Sequence, residues 1–268
     1  MKLDGKIALI TGGGSGIGRA TALALATRGT HLVLFGRTAS KLEATADLAA
    51  SHGVRVETIG GNVADETACM DALETVRARF GRLDILVNNA GNVRAGRLET
   101  TAVADIRAMI EIDLVAPILW TRAALPLLRA SGDGAIVNVT SGIALVGAPF
   151  YATYAAAKAG LARFGEALHR ELLDEGVRVL TVYPGATDTP MMSTNKAGPD
   201  LGFARETPEM VADALVDGLV SDAREVIRAN ETRRAMIALN RDHPEQVDER
   251  FRAMKARLEA AVSGHHAP

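Results

Sequence analysis

The passage Lys6-Ile-Ala-Leu-Ile-Thr-Gly-Gly-Gly-Ser-Gly-Ile-Gly-Arg-Ala-Thr-Ala22 decides the fold. Lys6 to Thr11 is an apolar run without polar alternation, the pattern of a strand covered on both faces of a parallel sheet. Gly16 to Arg28 carries the Ala- and Leu-rich periodicity of a helix. Between them Gly12, Gly16 and Gly18 allow a tight turn, close approach of backbone to a pyrophosphate, and close packing of helix on strand. Ser15 and Ile17 complete the turn, and the helix start offers unpaired N–H groups to anionic oxygens. Strand, glycine turn and helix in this register point to dinucleotide binding, although Gly12 to Gly16 is one residue longer than the usual fingerprint. The absence of a Gly-Lys-Ser/Thr ending excludes a phosphate-loop NTPase.

The same rhythm continues outward. Further strands are predicted at His31 to Phe35, Val54 to Ile59, Leu83 to Asn88, Ala135 to Thr140 and Val177 to Tyr183. Helices are predicted at Ser40 to Ser51, Glu66 to Phe80, Val103 to Arg129 and Tyr151 to Leu173. Such alternation implies right-handed crossovers, a parallel sheet and helices on both faces, an α/β fold with no linker dividing it. With 268 residues, 48% of them hydrophobic, the chain can bury a substantial core, and its net charge of −2 gives no basic footprint for nucleic acid or membrane. Cys69 is the sole cysteine and sits in a helical pattern that favours buried packing over reactivity. The run Ile7 to Ile10 is too short for a signal-peptide core or a membrane span, so a cytoplasmic location is expected. No metal site is expected.

The end of the second strand bears on the cofactor. An acid about 20 residues beyond the glycines would hold the ribose hydroxyls of NAD(H), whereas an Arg there accommodates the 2′-phosphate of NADP(H). Here Phe35-Gly36-Arg37-Thr38 has no acid, and Arg37 offers a planar fork suited to phosphate. NADP(H) is therefore expected over NAD(H).

A second constellation lies between Ser141 and Lys158. Ser141 follows the apolar run Ala135 to Val139, and Tyr154-Ala-Ala-Ala-Lys158 sets a phenol and an amine one turn apart on an Ala-rich helix. A phenol with pKa near 10 needs a nearby cation to become a usable base. An ammonium at ~4 Å attracts the phenolate by roughly 4 kcal/mol at an effective dielectric of ~20, enough to lower the pKa by up to about three units before desolvation. The expectation is a Tyr154 drawn down toward neutrality by Lys158, with Ser141 and Tyr154 sharing one carbonyl oxygen.

Taken together, Thr11-Gly-Gly-Gly-Ser-Gly-Ile-Gly18, Asn88-Asn-Ala-Gly91, Ser141, Tyr154-Ala-Ala-Ala-Lys158 and Pro184-Gly185 followed by Thr189 resemble the short-chain dehydrogenase/reductase family in order and spacing. The resemblance implies a single-domain, doubly wound Rossmann-like fold of about seven parallel strands. The likeness extends over residues 1–228, leaving residues 229–268 as a helical C-terminal extension of the same domain. It implies a homodimer or homotetramer that interconverts small-molecule carbonyls and alcohols with NAD(P). Tyr154 would then be the general acid in reduction and the base in oxidation. Lys158 would lower its pKa and hold the nicotinamide ribose, and Ser141 would orient the carbonyl oxygen. By the same likeness Asn62 and Val63 lie along the adenine, Asn89, Ala90 and Gly91 close over the adenine ribose, and Pro184, Gly185, Thr187 and Thr189 contact the nicotinamide side. The family usually has Asp at position 62, but Asn keeps a carbonyl acceptor. It usually has Asn at position 113, where it helps hold a relay water near the catalytic Lys. Asp113 can also hold that water, yet its charge near Lys158 would neutralise part of the ammonium field.

The substrate wall is expected from Ala144, Leu145, Val146, Phe150 and Tyr151 and from Met191, Met192, Leu201 and Phe203, which favours a hydrophobic ketone, aldehyde or secondary alcohol. Arg94 and Arg97 are read as solvated loop charges. Phe251, Met254, Leu258 and Val262 form an amphipathic stripe that packs on the protein's own surface or clasps a partner subunit. His265 and His266, lacking metal-site companions, are expected in a disordered tail. The alternative to an enzyme is a non-catalytic NADP(H)-binding sensor or scaffold of the same fold.

Overall fold

The computed structural model describes residues 1–267. β1 (Ile7–Thr11) leads through the glycine turn into α1 (Gly16–Ala26), followed by β2 (His31–Gly36), α2 (Ala39–Ala50), β3 (Val56–Gly60), α3 (Glu66–Phe80) and β4 (Ile85–Asn88). A short β5 (Val93–Arg94) precedes α4 (Val103–Ile110), α5 (Ala116–Ala130), β6 (Gly134–Val139), α6 (Ala152–Glu171) and β7 (Val177–Tyr183). The chain ends with α7 (Pro208–Val220), β8 (Glu225–Ile227), α8 (Glu231–Asp242), α9 (Pro244–Val262) and β9 (His266–Ala267).

Among the described residues seven strands pair in parallel, in the order β3-β2-β1-β4-β6-β7-β8. The uniform hydrophobicity of β1 now has its cause. Ala8 and Ile10 pack with α1, α2 and α7 on one face, while Leu9 packs with α3, α5 and α6 on the other, and all three are fully buried. On that second face the Trp120 ring meets Phe35 edge-on at 4.7 Å between centroids, and its Nε1 donates to the Val63 carbonyl at 2.9 Å. The indole thus joins the core to the loop after β3. Cys69 lies in the same core, where burial pushes its thiol up to about 12.

Two expectations change here. The single helix predicted over Val103 to Arg129 is interrupted. α4 ends at Ile110, and Glu111–Val115 winds as one π-helical turn before α5 resumes. Hydrophobic periodicity reports that a segment is helical but not that one turn holds an extra residue. The widened turn presents Asp113, fully buried, toward α6.

His265 to Ala267 are ordered. Val93 and Arg94 pair antiparallel with Ala267 and His266, and α9 buries Leu258 and Val262 against Val93, Tyr151 and Leu201. The stripe on α9 therefore packs on the protein's own body. Arg97, read as solvated, clasps Glu259 of α9, and Arg94 lies 3.7 Å from Asp105. His265 is buried: its Nδ1 faces the Tyr151 hydroxyl at 2.8 Å and Asn195 Nδ2 at 3.1 Å, and its Nε2 faces the Met191 carbonyl at 3.1 Å. An acceptor carbonyl at Nε2 and donors at Nδ1 require a neutral ring protonated at Nε2. Burial holds the His265 pKa below its ordinary 6.5, against the Met191 hydrogen bond that raises it. The unfolded chain therefore takes up this proton first, so His265 contributes stability above about pH 6.5 that is lost as pH falls through the depressed folded value. In thermal melts the wild type is expected to lose Tm between pH 7 and 5. His265→Ala should start about 1–3 kcal/mol less stable and show a flatter acid dependence. Equal pH slopes in the two proteins would refute the assignment.

Candidate active site

The sheet order reverses between β1 and β4, and the crevice at their carboxyl ends is where such folds bind ligands. Chain chemistry holds that crevice open and rigid. Asn89 Nδ2 donates to the carbonyls of Thr11 at 2.9 Å and Gly12 at 3.3 Å, while Thr11 Oγ1 accepts from the backbone N–H groups of Asn89 and Ala90. Gly12 has φ +69°, and a Cβ on Gly18 would sit 2.3 Å from the Gly12 carbonyl oxygen. Gly18 does not line the cleft; its bare Cα lets α1 pack under the turn. Ser15 makes no side-chain cap to α1, so the first-turn N–H groups stay available to anionic oxygens.

The cleft encloses about 810 Å³. At one end it is lined by Arg37, Asn62 and Val63, along its floor by Gly12, Ser15, Gly16, Ile17, Asn89, Ala90 and Gly91, and beyond them by Pro184, Gly185, Thr187 and Thr189. Asn62 Oδ1 accepts from the Ala64 N–H at 3.1 Å, Thr187 Oγ1 donates to the Gly185 carbonyl at 3.1 Å, and a Cβ on Gly16 would touch the Thr189 methyl at 3.0 Å. The loop after β7 thus closes over the glycine turn. A pyrophosphate-bridged dinucleotide fits this cradle: Gly12, Gly14 and Gly16 leave bare backbone along the turn, and α1 starts without a side-chain cap against it.

Ser141, Tyr154 and Lys158 line the same cleft. Ser141 is the extended residue after β6, its Oγ accepting from the Ile143 N–H at 3.3 Å, and Tyr154 and Lys158 stand one turn apart on α6. Lys158 Nζ lies 5.8 Å from the Tyr154 ring centroid and donates to the Val139 carbonyl at 3.1 Å. Asp113 stands behind it, outside the cleft lining, with Oδ1 at 3.0 Å from Nζ and Oδ2 accepting from the Asn92 N–H at 3.3 Å. A Cβ on Gly91 would fall 2.6 Å from Asp113 Oδ1, so glycine there makes room for the ion pair.

The electrostatics correct the expectation for Tyr154. Burial pushes its phenol above the ordinary value; Lys158 and a hydrogen bond with Ser141 pull it down, and Asp113 pushes it up again. The net direction is up chiefly because burial penalises the phenolate, and the Asp113 carboxylate offsets part of the pull from the ammonium. Burial holds the Asp113 carboxyl above the usual range against the pull of Lys158. Burial works to lower Lys158, but Asp113 and Tyr154 hold it above its ordinary value, so the cation is secure.

Against this geometry, a family model described as short chain dehydrogenase matches residues 6–200. The chain is a short-chain dehydrogenase. Relatives of this short-chain dehydrogenase include the cis-4-hydroxycyclohexanecarboxylate dehydrogenase of Sinomonas cyclohexanicum, 38% identical over 228 residues covering 81% of this chain and 90% of the relative. A 3-oxoacyl-(acyl-carrier-protein) reductase of Synechocystis sp. is 35% identical over 202 residues, 75% of this chain and 82% of the relative. Among solved structures, the alcohol dehydrogenase from the archaeon Thermococcus sibiricus complexed with 5-hydroxy-NADP superposes with TM-score 0.76 at 28% identity, covering 84% of this chain and 96% of that one.

The substrate end of this short-chain dehydrogenase departs in part from the sequence reading. Tyr151, Met191, Met192, Leu201 and Phe203 do line the cleft, but Ala144, Leu145, Val146 and Phe150 do not, and Val146 is fully buried. Their places are taken by Val93, Ile143, Ala148, Ile237, Phe251 and the tail residues His265 and Ala267, with Arg233 beside them. The apolar stripe on α9 carried a signal for Phe251; nothing local in the sequence marks Arg233 as near Ser141 or His265 as near Tyr151. Among the described residues no helix is long and apolar enough to cross a membrane, and no group of His, Cys, Asp and Glu could hold a metal ion.

Proposed function

We propose that this protein is an NADP(H)-dependent oxidoreductase that interconverts a hydrophobic ketone or aldehyde and its alcohol. The observation that carries the reading is the placement of Ser141, Tyr154 and Lys158 on one wall of the cleft whose floor is the glycine turn. NADPH, when bound, supplies the hydride. Ser141 orients the substrate carbonyl through its oxygen, and Tyr154 donates its phenolic proton to that oxygen as negative charge develops there. In the reverse direction Tyr154 withdraws the alcohol proton. Lys158 stabilises the phenolate left behind and holds the nicotinamide ribose, and Arg37, in the stretch Phe35-Gly36-Arg37-Thr38 whose sequence carries no Asp or Glu, receives the 2′-phosphate. The apolar wall of Met191, Met192, Leu201, Phe203 and Phe251 selects hydrophobic substrates and excludes water. Assembly as a homodimer or homotetramer belongs to the same reading.

The test is a fluorescence titration of the purified protein with NADPH and NADH, followed by a panel of aldehydes and ketones scored as loss of reduced cofactor. The expected result is tighter binding of NADPH and oxidation with hydrophobic carbonyls. Preference for NADH would overturn the role of Arg37. NADPH binding without turnover on any member of the panel would favour the sensor, for which the pairing of Lys158 with Asp113 is the one supporting observation.

A further inference from the structure

Arg233 lies in the first turn of α8, its backbone N–H donating to Asn230 Oδ1 at 2.9 Å, and its side chain enters the cleft. Nη2 donates to the Gly142 carbonyl at 3.0 Å, and among the described residues no carboxylate lies within ion-pair distance of this guanidinium. Five N–H donors therefore share one protein acceptor. The position is costly on two further counts. Burial draws the guanidinium below its ordinary pKa with no counter-charge to offset it, and a cation in the first turn opposes the helix dipole. Its basic neighbours in the cleft are differently placed. Arg228 holds Glu206 at 2.6 Å, Arg205 reaches Asp188 and the Asn195 carbonyl, and Arg234 donates to the carbonyls of Ile227 and Ala229.

Gly142 directly follows Ser141, so by chain geometry Nη2 lies within about 10 Å of the Ser141 Cα. Ile143 and Ile237 line the cleft nearby. An arginine with unmet donors, close to the carbonyl site and set among apolar residues, matches a planar monoanion. We propose that Arg233 binds a carboxylate on the substrate, so that the substrate class is a carbonyl acid, and its hydroxy-acid product, with a short apolar spacer between the acid and the reacting carbon. This rests on the oxidoreductase reading above and narrows it. Arg234 is turned to backbone carbonyls, which leaves one guanidinium at this place and suits a carboxylate better than a phosphate dianion.

The experiment compares 4-formylbenzoate with its methyl ester as NADPH-dependent substrates. The acid should be preferred, and Arg233→Met should lower the acid-to-ester ratio of kcat/KM by about 10- to 100-fold, mainly through KM, with Arg233→Lys between the two. Equal losses for acid and ester would make Arg233 a structural clasp on Gly142, and a weaker NADPH affinity with an unchanged ratio would make it a cofactor contact; either result overturns the proposal. A second measurement needs no turnover: benzoate titrated calorimetrically into the protein saturated with NADP+ should bind the wild type and not Arg233→Met. Absence of benzoate binding to the wild type also overturns it. Wild type that reduces neither aldehyde but binds benzoate through Arg233 would count against the oxidoreductase reading alone.

Discussion

Tyr154→Phe is expected to lower kcat for carbonyl reduction by about 10²- to 10⁴-fold, the usual contribution of a positioned general acid. The ring stays on α6 against Lys158 and only the hydroxyl leaves, so the loss isolates proton transfer. NADPH affinity should stay within about threefold, because the glycine turn, the loop after β7 and Lys158 are untouched, and a change below about 0.7 kcal/mol is what such a distant edit allows. Stability should fall by no more than about 1 kcal/mol, the net worth of a single hydrogen bond to Ser141. Stopped-flow turnover, cofactor titration and a thermal melt on the same preparation separate these three quantities. A variant that reduces substrate at the wild-type rate would refute Tyr154 as the acid, whatever its affinity or Tm.

What the sequence could show depended on how local each signal was. The run Lys6 to Thr11, the turn Gly12 to Gly18 and the spacing of Tyr154 and Lys158 each complete their meaning within one element, and the structure keeps them. Glu66–Phe80 and Val177–Tyr183 keep their predicted ends, the first because Asp65 caps α3 by accepting from Thr67 and Ala68 and Gly81 closes it in the left-handed region. The readings that failed depend on distant partners. The unbroken helix over Val103 to Arg129 failed because one turn holds an extra residue, although Asp113 does meet Lys158 as the sequence suggested, and the lowered Tyr154 failed because burial outweighs the ammonium. His265 and Arg233 reach the cleft because α9 and α8 fold back over it, which no periodicity within 229–268 encodes as a destination. The wall residues after Ser141 failed for a related reason: an apolar side chain reads the same whether it lines a cleft or fills the core, and Val146 fills the core.

Replacing Asp113 should produce the largest change in pH dependence. In Asp113→Asn the buried anion that holds the phenol up is gone while Lys158 keeps pulling it down, so the Tyr154 pKa falls. A like or opposite charge at this range moves a pKa by about one to three units. In alcohol oxidation Tyr154 must be deprotonated, so the rising limb of kcat/KM against pH should move to lower pH by that amount, and turnover at pH 7 should rise severalfold. Stability moves the other way. Breaking a buried pair by removing one partner outright costs about 3–5 kcal/mol, since Lys158 would keep its charge without a counter-ion. Asn retains an acceptor for the Asn92 N–H and a dipole toward Nζ, so a smaller loss, about 1–3 kcal/mol, is expected from its thermal melt. Asp113→Ala, lacking both, should melt lower still. An unmoved pH profile in Asp113→Asn would show that the carboxylate does not set the Tyr154 field. A moved profile with lower Tm would mean that this chain holds its catalytic lysine with a charge that also restrains its catalytic tyrosine, keeping the fold at the expense of rate near neutrality.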